Sequence, residues 1–141
     1  MKKSGIEKIL IVDDEKNIID AFREIFSQTD YLIEYAQNSE QMMEKLSSGS
    51  FNLVVLDTSL PNTDALDLLE KIKNLDPRLR VIMMAWHTSA EKIAEAFQKR
   101  ASEFILKPFQ SRDVLRKVRK SLLFQRLSKV RERTRHLMPL D

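Results

Sequence analysis

Short, continuously apolar runs alternate with segments of helical period along the 141-residue chain. This alternation predicts an α/β fold: a doubly wound, five-stranded parallel sheet with helices on both faces and an extended C-terminal helix. The run Asn52 to Asp57 is apolar on both faces up to its last residue, as a strand covered from either side should be. Two of the runs end in aspartate and another is followed by Lys-Pro, so polar chemistry gathers at strand ends.

The first run, Lys8 to Asp13, is followed by Ile18, Ile19, Phe22, Ile25 and Phe26, whose spacing lays five side chains on one face of a helix from about Glu15 to Gln28. Tyr31 to Ala36 carries Glu34 at its centre and is expected at a less buried edge of the sheet. Met42, Met43 and Leu46 mark a short helix behind it. Asn52 to Asp57 is apolar up to its terminal carboxylate and is expected at the centre. After Pro61 comes a helix with Leu66, Leu69, Ile72 and Leu75 inward, ending where Pro77 pushes Asp76 out of the helical region. Arg80 to Ala85 is the fourth strand, and Thr88 with Glu91 matches a capping box for a fourth helix with Ile93, Ala94 and Phe97 inward. Glu103 to Leu106 is the fifth strand, broken by Pro108, and the last helix starts near Gln110 with Leu115, Val118 and Leu122 over the sheet. These elements fill one domain over residues 1–124, leaving 125–141 as a basic helical extension or linker.

Composition narrows the function classes. With no cysteine, disulfides and thiolate metal sites are excluded. The longest uncharged apolar run, Val81 to Trp86, is far short of the ~20 residues that cross a bilayer, and Met1-Lys2-Lys3 leads into no apolar leader. A soluble, cytoplasmic protein without membrane contact is the expectation. The formal charge of +3 hides an asymmetry: residues 1–109 hold 14 Lys/Arg against 18 Asp/Glu, and residues 110–141 hold 10 against 3. An acidic body with a basic tail is not a uniformly basic protein, so net charge alone does not point to nucleic acid.

Asp13, Asp14, Asp57 and Lys107 all lie at carboxyl ends of strands, where open parallel sheets bind ligands. A flavodoxin-like order 2-1-3-4-5 sets the first and third strands side by side and makes the three carboxylates converge. Crowded carboxylates raise one another's pKa unless a cation is present, and oxygen ligands without His or Cys suit Mg²⁺. Singly, each aspartate also reads as a turn former or helix cap; the four residues together make a constellation that chance turn residues rarely supply in that order.

Val12-Asp13-Asp14-Glu15, Leu56-Asp57 with Leu60-Pro61, and Phe104-Ile105-Leu106-Lys107-Pro108-Phe109 make the chain, over about residues 6–124, resemble the receiver domain of two-component response regulators. The resemblance implies that Asp57 accepts a phosphoryl group from a histidine kinase or phosphotransfer protein in a Mg²⁺-dependent reaction. It implies that Asp14 ligates the metal directly, Asp13 through water and Ser59 through its backbone carbonyl, and that Lys107 pairs with the phosphoryl group. It further implies a cis Lys107–Pro108 peptide, and a switch that phosphorylates and dephosphorylates itself rather than turning over substrate. Partners or a second copy would be engaged through the surface of helix four, strand five and helix five.

The chain departs from that family at the switch. Where receivers carry Thr or Ser at the end of strand four, 22 residues before the lysine, this sequence has Ala85; Thr88 could replace it only if the strand slid by three residues. Trp86 follows where a small residue is usual, and either narrows the phosphoryl pocket or packs as ordinary apolar surface. His87 lies near the expected hydrolytic water or is plain surface. Phe104 matches the switch aromatic, with its mechanical link to position 85 in question. Family glycines are replaced by Ala65 and Arg100, so Lys99 or Arg100 is expected to take a left-handed cap.

In the tail, Leu127, Val130, Thr134 and Leu137 form a two-heptad seam closed by Pro139. It suits a signalling helix leading to an output domain, a self-associating or partner-binding helix, or a nucleic-acid-binding helix. No aromatic interleaving or recognisable DNA-binding motif favours the last. Two rivals to a working switch remain. One is a pseudo-receiver acting as a constitutive interaction module. The other is a phosphatase with Asp57 as nucleophile, whose second aspartate two residues on is here Ser59.

Overall fold

The computed structural model describes residues 5–135. The apolar runs form parallel strands β1 (Lys8–Val12), β2 (Leu32–Ala36), β3 (Leu53–Asp57), β4 (Arg80–Ala85) and β5 (Glu103–Leu106), in spatial order β2-β1-β3-β4-β5. Between and after them lie α1 (Lys16–Phe26), α2 (Ser39–Ser48), α3 (Ala65–Leu75), α4 (Ala90–Gln98) and α5 (Ser111–Thr134). This is the doubly wound fold the alternation predicts. No helix among the described residues is long and apolar enough to cross a membrane.

Strand alternation divides the core in two. Leu10, Val12, Val54, Leu56, Val81 and Met83 face one side, under α2, α3 and Ala96 of α4. Ile9, Ile11, Leu53, Val55, Ile82, Met84 and Ile105 face the other, under α1 and α5. All five positions of β3 are buried, and β3 lies between β1 and β4, as a centre strand should. β2 is the predicted edge, and its Glu34 stays near solvent, paired with Lys8 at 2.7 Å and Lys45 at 3.1 Å.

Two helices turn differently from the sequence reading. In α3 the residues fully against the sheet side are Leu68, Leu69, Ile72 and Lys73; Leu66 is half-buried and Leu75 is half exposed. The apolar stripe through 66 and 75 is broader than the strip the sheet can cover. In α4 the cap is Ser89, whose Oγ accepts the Lys92 N–H at 3.2 Å, and not Thr88. Only Ala96 is buried there; Ile93 is partly covered, while Ala94 and Phe97 are exposed. A small residue at the contact decides which face approaches the sheet, and it leaves Phe97 outside.

α5 runs unbroken past Phe124 and remains attached. Gln125 is buried and accepts from the Asn52 amide at 3.3 Å; the Arg80 guanidinium donates to Ser128, and Arg78 pairs with Glu132 at 3.2 Å. The extension expected from residue 125 is therefore still attached to the body at Gln125, Ser128 and Glu132. Leu123, Leu127 and Val130 lie about half exposed on its outer face. The expected seam residue Leu137 and the stop at Met138–Pro139 fall outside the described residues.

Arg100 supplies the left-handed cap, with φ 72°. Its N–H donates to the Phe97 carbonyl and the Ala101 N–H to the Ala96 carbonyl, the two bonds of a Schellman turn. Left-handed backbone costs an L-residue ~1–2 kcal/mol, and glycine returns part of that as unfolded-state entropy. Arg100→Gly is expected to stabilise the fold by up to about 1 kcal/mol, and Arg100→Ala to give no such gain; urea unfolding midpoints measure both.

Lys73 is a buried cation with no carboxylate in ion-pair range among the described residues. Its Nζ donates to the Leu79 carbonyl at 2.6 Å and the Pro77 carbonyl at 3.4 Å, tying down the α3–β4 turn. Burial, with the charges of Arg80 and Arg100, lowers its pKa to about 8. Because its folded pKa lies below its unfolded value, the unfolded chain binds the extra proton between about pH 8 and 10.5. Stability relative to Lys73→Met should therefore rise with pH across that window, read by denaturant titration at pH 7, 9 and 10.5.

Candidate functional site

The site is built where β1, β3 and β5 end. Asp13 follows β1, and its N–H is held by the Ala36 carbonyl at 3.0 Å; Asp57 is the last residue of β3; Lys107 follows β5, its N–H held by the Ala85 carbonyl at 2.8 Å. Side-chain to backbone bonds then fix the carboxylates. Asp13 Oδ1 accepts the Glu15 N–H at 2.8 Å, and Asp57 Oδ1 accepts the Ser59 N–H at 3.2 Å. Asp13 and Asp57 are buried, Asp14 is exposed, and ligand oxygens of the three lie within 4.8 Å of one another.

The Lys107 side chain is wholly buried, and its ammonium is shared three ways: Asp13 Oδ2 at 2.8 Å, Glu15 Oε1 at 3.0 Å and Asp57 Oδ1 at 3.3 Å. Burial alone would lower its pKa, but the hydrogen bonds it donates to Asp13 and Glu15 and the charges of Asp13 and Asp57 raise it, so it stays an ammonium. Desolvation raises the carboxyls of both Asp13 and Asp57; the charge of Asp13 pushes Asp57 higher still, against the pull of Lys107.

Four carboxylates and one ammonium leave the cluster strongly negative. Two like charges 4 Å apart repel by roughly 4 kcal/mol at an effective dielectric of 20, which favours a further cation. Asp57 Oδ2, moreover, is buried with no hydrogen-bond partner. An all-oxygen donor set of three carboxylates, with ligand oxygens within 4.8 Å of one another, fits a hard divalent ion such as Mg²⁺.

The remaining predicted residues take clear places. Ala85 ends β4, buried and paired with Leu106, so β4 has not slid to bring Thr88 to that position. Trp86 and His87 follow in an exposed loop. Phe104 is partly buried on the α4 side and borders a cavity of about 370 Å³ with Met83, Ala96, Thr58, His87 and Thr88. Lys107–Pro108 is cis.

One contact at the site escaped the sequence reading. The Trp86 indole N–H donates to Glu15 Oε1 at 2.8 Å, the same oxygen that Lys107 uses, and the ring lies with its centroid 5.5 Å from the Lys107 ammonium. These bonds hold the Glu15 carboxyl below its usual range, the Trp86 bond contributing most. Residues 15 and 86 are 71 apart in sequence, and no spacing rule joins them.

Comparison with known proteins places this geometry. The family model described as the response regulator receiver domain matches residues 9–119. The chemotaxis protein CheY of Bacillus subtilis is 33% identical over 116 residues, 82% of this chain and 97% of its own. Sporulation initiation phosphotransferase F of the same organism is 32% identical over 116 residues, 82% of this chain and 94% of its own. The crystal structure of a CheY-like response regulator receiver domain protein from Methanospirillum hungatei superposes with a TM-score of 0.82 at 31% identity, covering 88% of this chain and 99% of that one. With its sheet order and converging strand-end residues in agreement, the chain belongs to the response regulator receiver domain family of two-component systems.

Proposed function

We propose that this receiver accepts a phosphoryl group on Asp57 from a histidine kinase or phosphotransfer protein. The observation that carries the reading is the asymmetry of that carboxylate: Oδ1 is held by Lys107 and the Ser59 N–H, whereas Oδ2 is unclaimed. Oδ2 attacks phosphorus, a P–O bond forms, the P–N bond to the donor imidazole breaks, and the electron pair leaves with the ring nitrogen. Lys107, kept protonated by its carboxylates, stabilises the charge gathering on the phosphoryl oxygens. Asp13, Asp14, Asp57 and the Ser59 carbonyl would hold Mg²⁺, which when bound offsets the same charge. The domain acts as a switch regenerated by hydrolysis rather than as a turnover enzyme. Residues 1–124 constitute the receiver, and 125–141 the route to an output, a partner or a second copy.

Acetyl phosphate with Mg²⁺ should add one phosphate to the wild-type chain by intact mass, and Asp57→Asn should abolish it. The specific observations favouring the rival, a pseudo-receiver acting as a constitutive interaction module, are the buried methyl of Ala85 in place of a hydroxyl and the indole over Lys107. Absence of any adduct after long exposure would establish that rival.

Output would pass through the face of α4, β5 and α5, where Phe97 and Leu106 are about half exposed. A hydrogen bond to a charged group contributes ~1.5–3 kcal/mol, so lacking the hydroxyl could weaken the bias toward the active state by up to roughly a hundredfold. Beryllofluoride should change association by light scattering, and exchange protection at Phe104, less in wild type than in Ala85→Thr. Equal responses would place the coupling elsewhere.

A further inference from the structure

We infer that Trp86 and Glu15 form a strap over the phosphoacceptor, with Glu15 a positioning residue that reports the state of Lys107 to the β4–α4 loop. The inference rests on the proposed phosphorylation of Asp57 and adds its regulation. It begins from a single atom, Glu15 Oε1, which accepts both the Trp86 indole N–H and the Lys107 ammonium. The indole ring above that ammonium completes the closure, and the Lys107 side chain beneath it has no exposed surface.

The three carboxylates on Lys107 are not equally free to leave. Asp13 and Asp57 have fully buried side chains fixed at strand ends by the N–H groups of Glu15 and Ser59. Glu15 precedes α1, makes no side-chain cap to it, and its side chain is 40% exposed. The Lys107 ammonium donates to Asp13 and Glu15 and lies in ion-pair range of Asp57 at 3.3 Å in the resting site. A phosphoryl group on Asp57 adds oxygens that compete for the ammonium and negative charge that repels a third carboxylate beside it. Glu15 is the partner that can turn to solvent, and when it does Trp86 loses its acceptor and the ring its anchor. Trp86 is the residue after Ala85, so the freed element is the loop that a hydroxyl at that position would otherwise pull. Phosphorylation here opens a strap where the usual receiver draws a loop inward.

Trp86 is the only tryptophan, so its emission reads the strap directly in the full chain. In resting wild type, where Trp86 is already 39% exposed, acrylamide should quench it to an intermediate degree; Glu15→Ala should raise that quenching. Beryllofluoride with Mg²⁺ should raise quenching in wild type to the level of Glu15→Ala and leave that variant unchanged. Glu15→Gln keeps an acceptor for the indole but not the repelled charge, so resting protection should persist while the response shrinks. Trp86→Phe keeps an aromatic ring and removes only the donor. Acetyl phosphate should label it about tenfold or more faster than wild type, the equilibrium weight of one hydrogen bond to a charged group. If wild type is labelled on Asp57 but its quenching is the same with and without beryllofluoride, and Trp86→Phe labels at the wild-type rate, the strap is overturned and the phosphoacceptor reading stands. If wild type takes no label, the phosphoacceptor reading fails and the coupling fails with it.

Discussion

The buried ammonium of Lys107 is the constraint around which the strand ends are arranged. It follows β5, yet its nearest partner is Asp13 after β1, with β4 and β3 lying between in the sheet. Neither partner is tolerable alone: a buried, unpaired cation or carboxylate costs several kcal/mol, and removing one member of such a pair leaves the other uncompensated. Fixing Lys107 against both Asp13 and Asp57 therefore fixes the ends of β1, β3 and β5 relative to one another. The Lys107 N–H to the Ala85 carbonyl and the Asp13 N–H to the Ala36 carbonyl extend the ladders by one rung at each end of that span. What remains after pairing is an excess of carboxylate, and that excess makes the cluster receptive to a divalent cation instead of being a static ion pair.

The sheet and this cluster were legible because they are written in local patterns. Apolar runs ending in Asp13, Asp57 and Lys107 announce both the strands and the polar edge, and Glu34 alone marks β2 as the outer strand. The left-handed cap was legible only through the resemblance, which sets Arg100 where the family has a glycine. Helix faces were harder. Apolar stripes on α3 and α4 run wider than the sheet covers, so Leu75 and Phe97 are apolar and exposed, while Lys73 is charged and buried. Nothing in periodicity predicts the last, because its cause is tertiary: the free carbonyls of Pro77 and Leu79 lie within reach of the Lys73 ammonium.

α5 shows the same limit at larger scale. Its sheet-facing residues Val114, Val118, Leu122 and Gln125 keep one period, while Leu123, Leu127 and Val130 keep another on the outer side. Two apolar faces on one helix flatten its amphipathic signal, so sequence alone places the point where the helix leaves the globule too early. Polar contacts decide it instead: Asn52 to Gln125, Arg80 to Ser128, Arg78 to Glu132 and Arg126 to Glu7 anchor the helix along the amino-terminal edge of the sheet. Of these, only Arg126 to Glu7 pairs a base of the tail with an acid of the body, and outward arginines such as Arg119, Arg131 and Arg133 stay exposed.

Ala85 raises the question of how a receiver without the hydroxyl distinguishes its two states at all. A ligand moves a conformational equilibrium only by the difference in its interaction with the two arrangements. The lost bond would have contributed ~1.5–3 kcal/mol, the range for a hydrogen bond to a charged partner. The Trp86 to Glu15 bond is of that same kind, an indole N–H on a carboxylate, and it is available to be broken rather than made. Its sign is opposite, since it stabilises the resting state, but a difference of equal size produces an equal shift. The exposure of Glu15 discounts that magnitude, because solvent competes for the freed carboxylate. A switch built this way would be biased more weakly than one with a buried hydroxyl, and its moving part would be an indole at the mouth of the site rather than an aromatic withdrawn into the sheet.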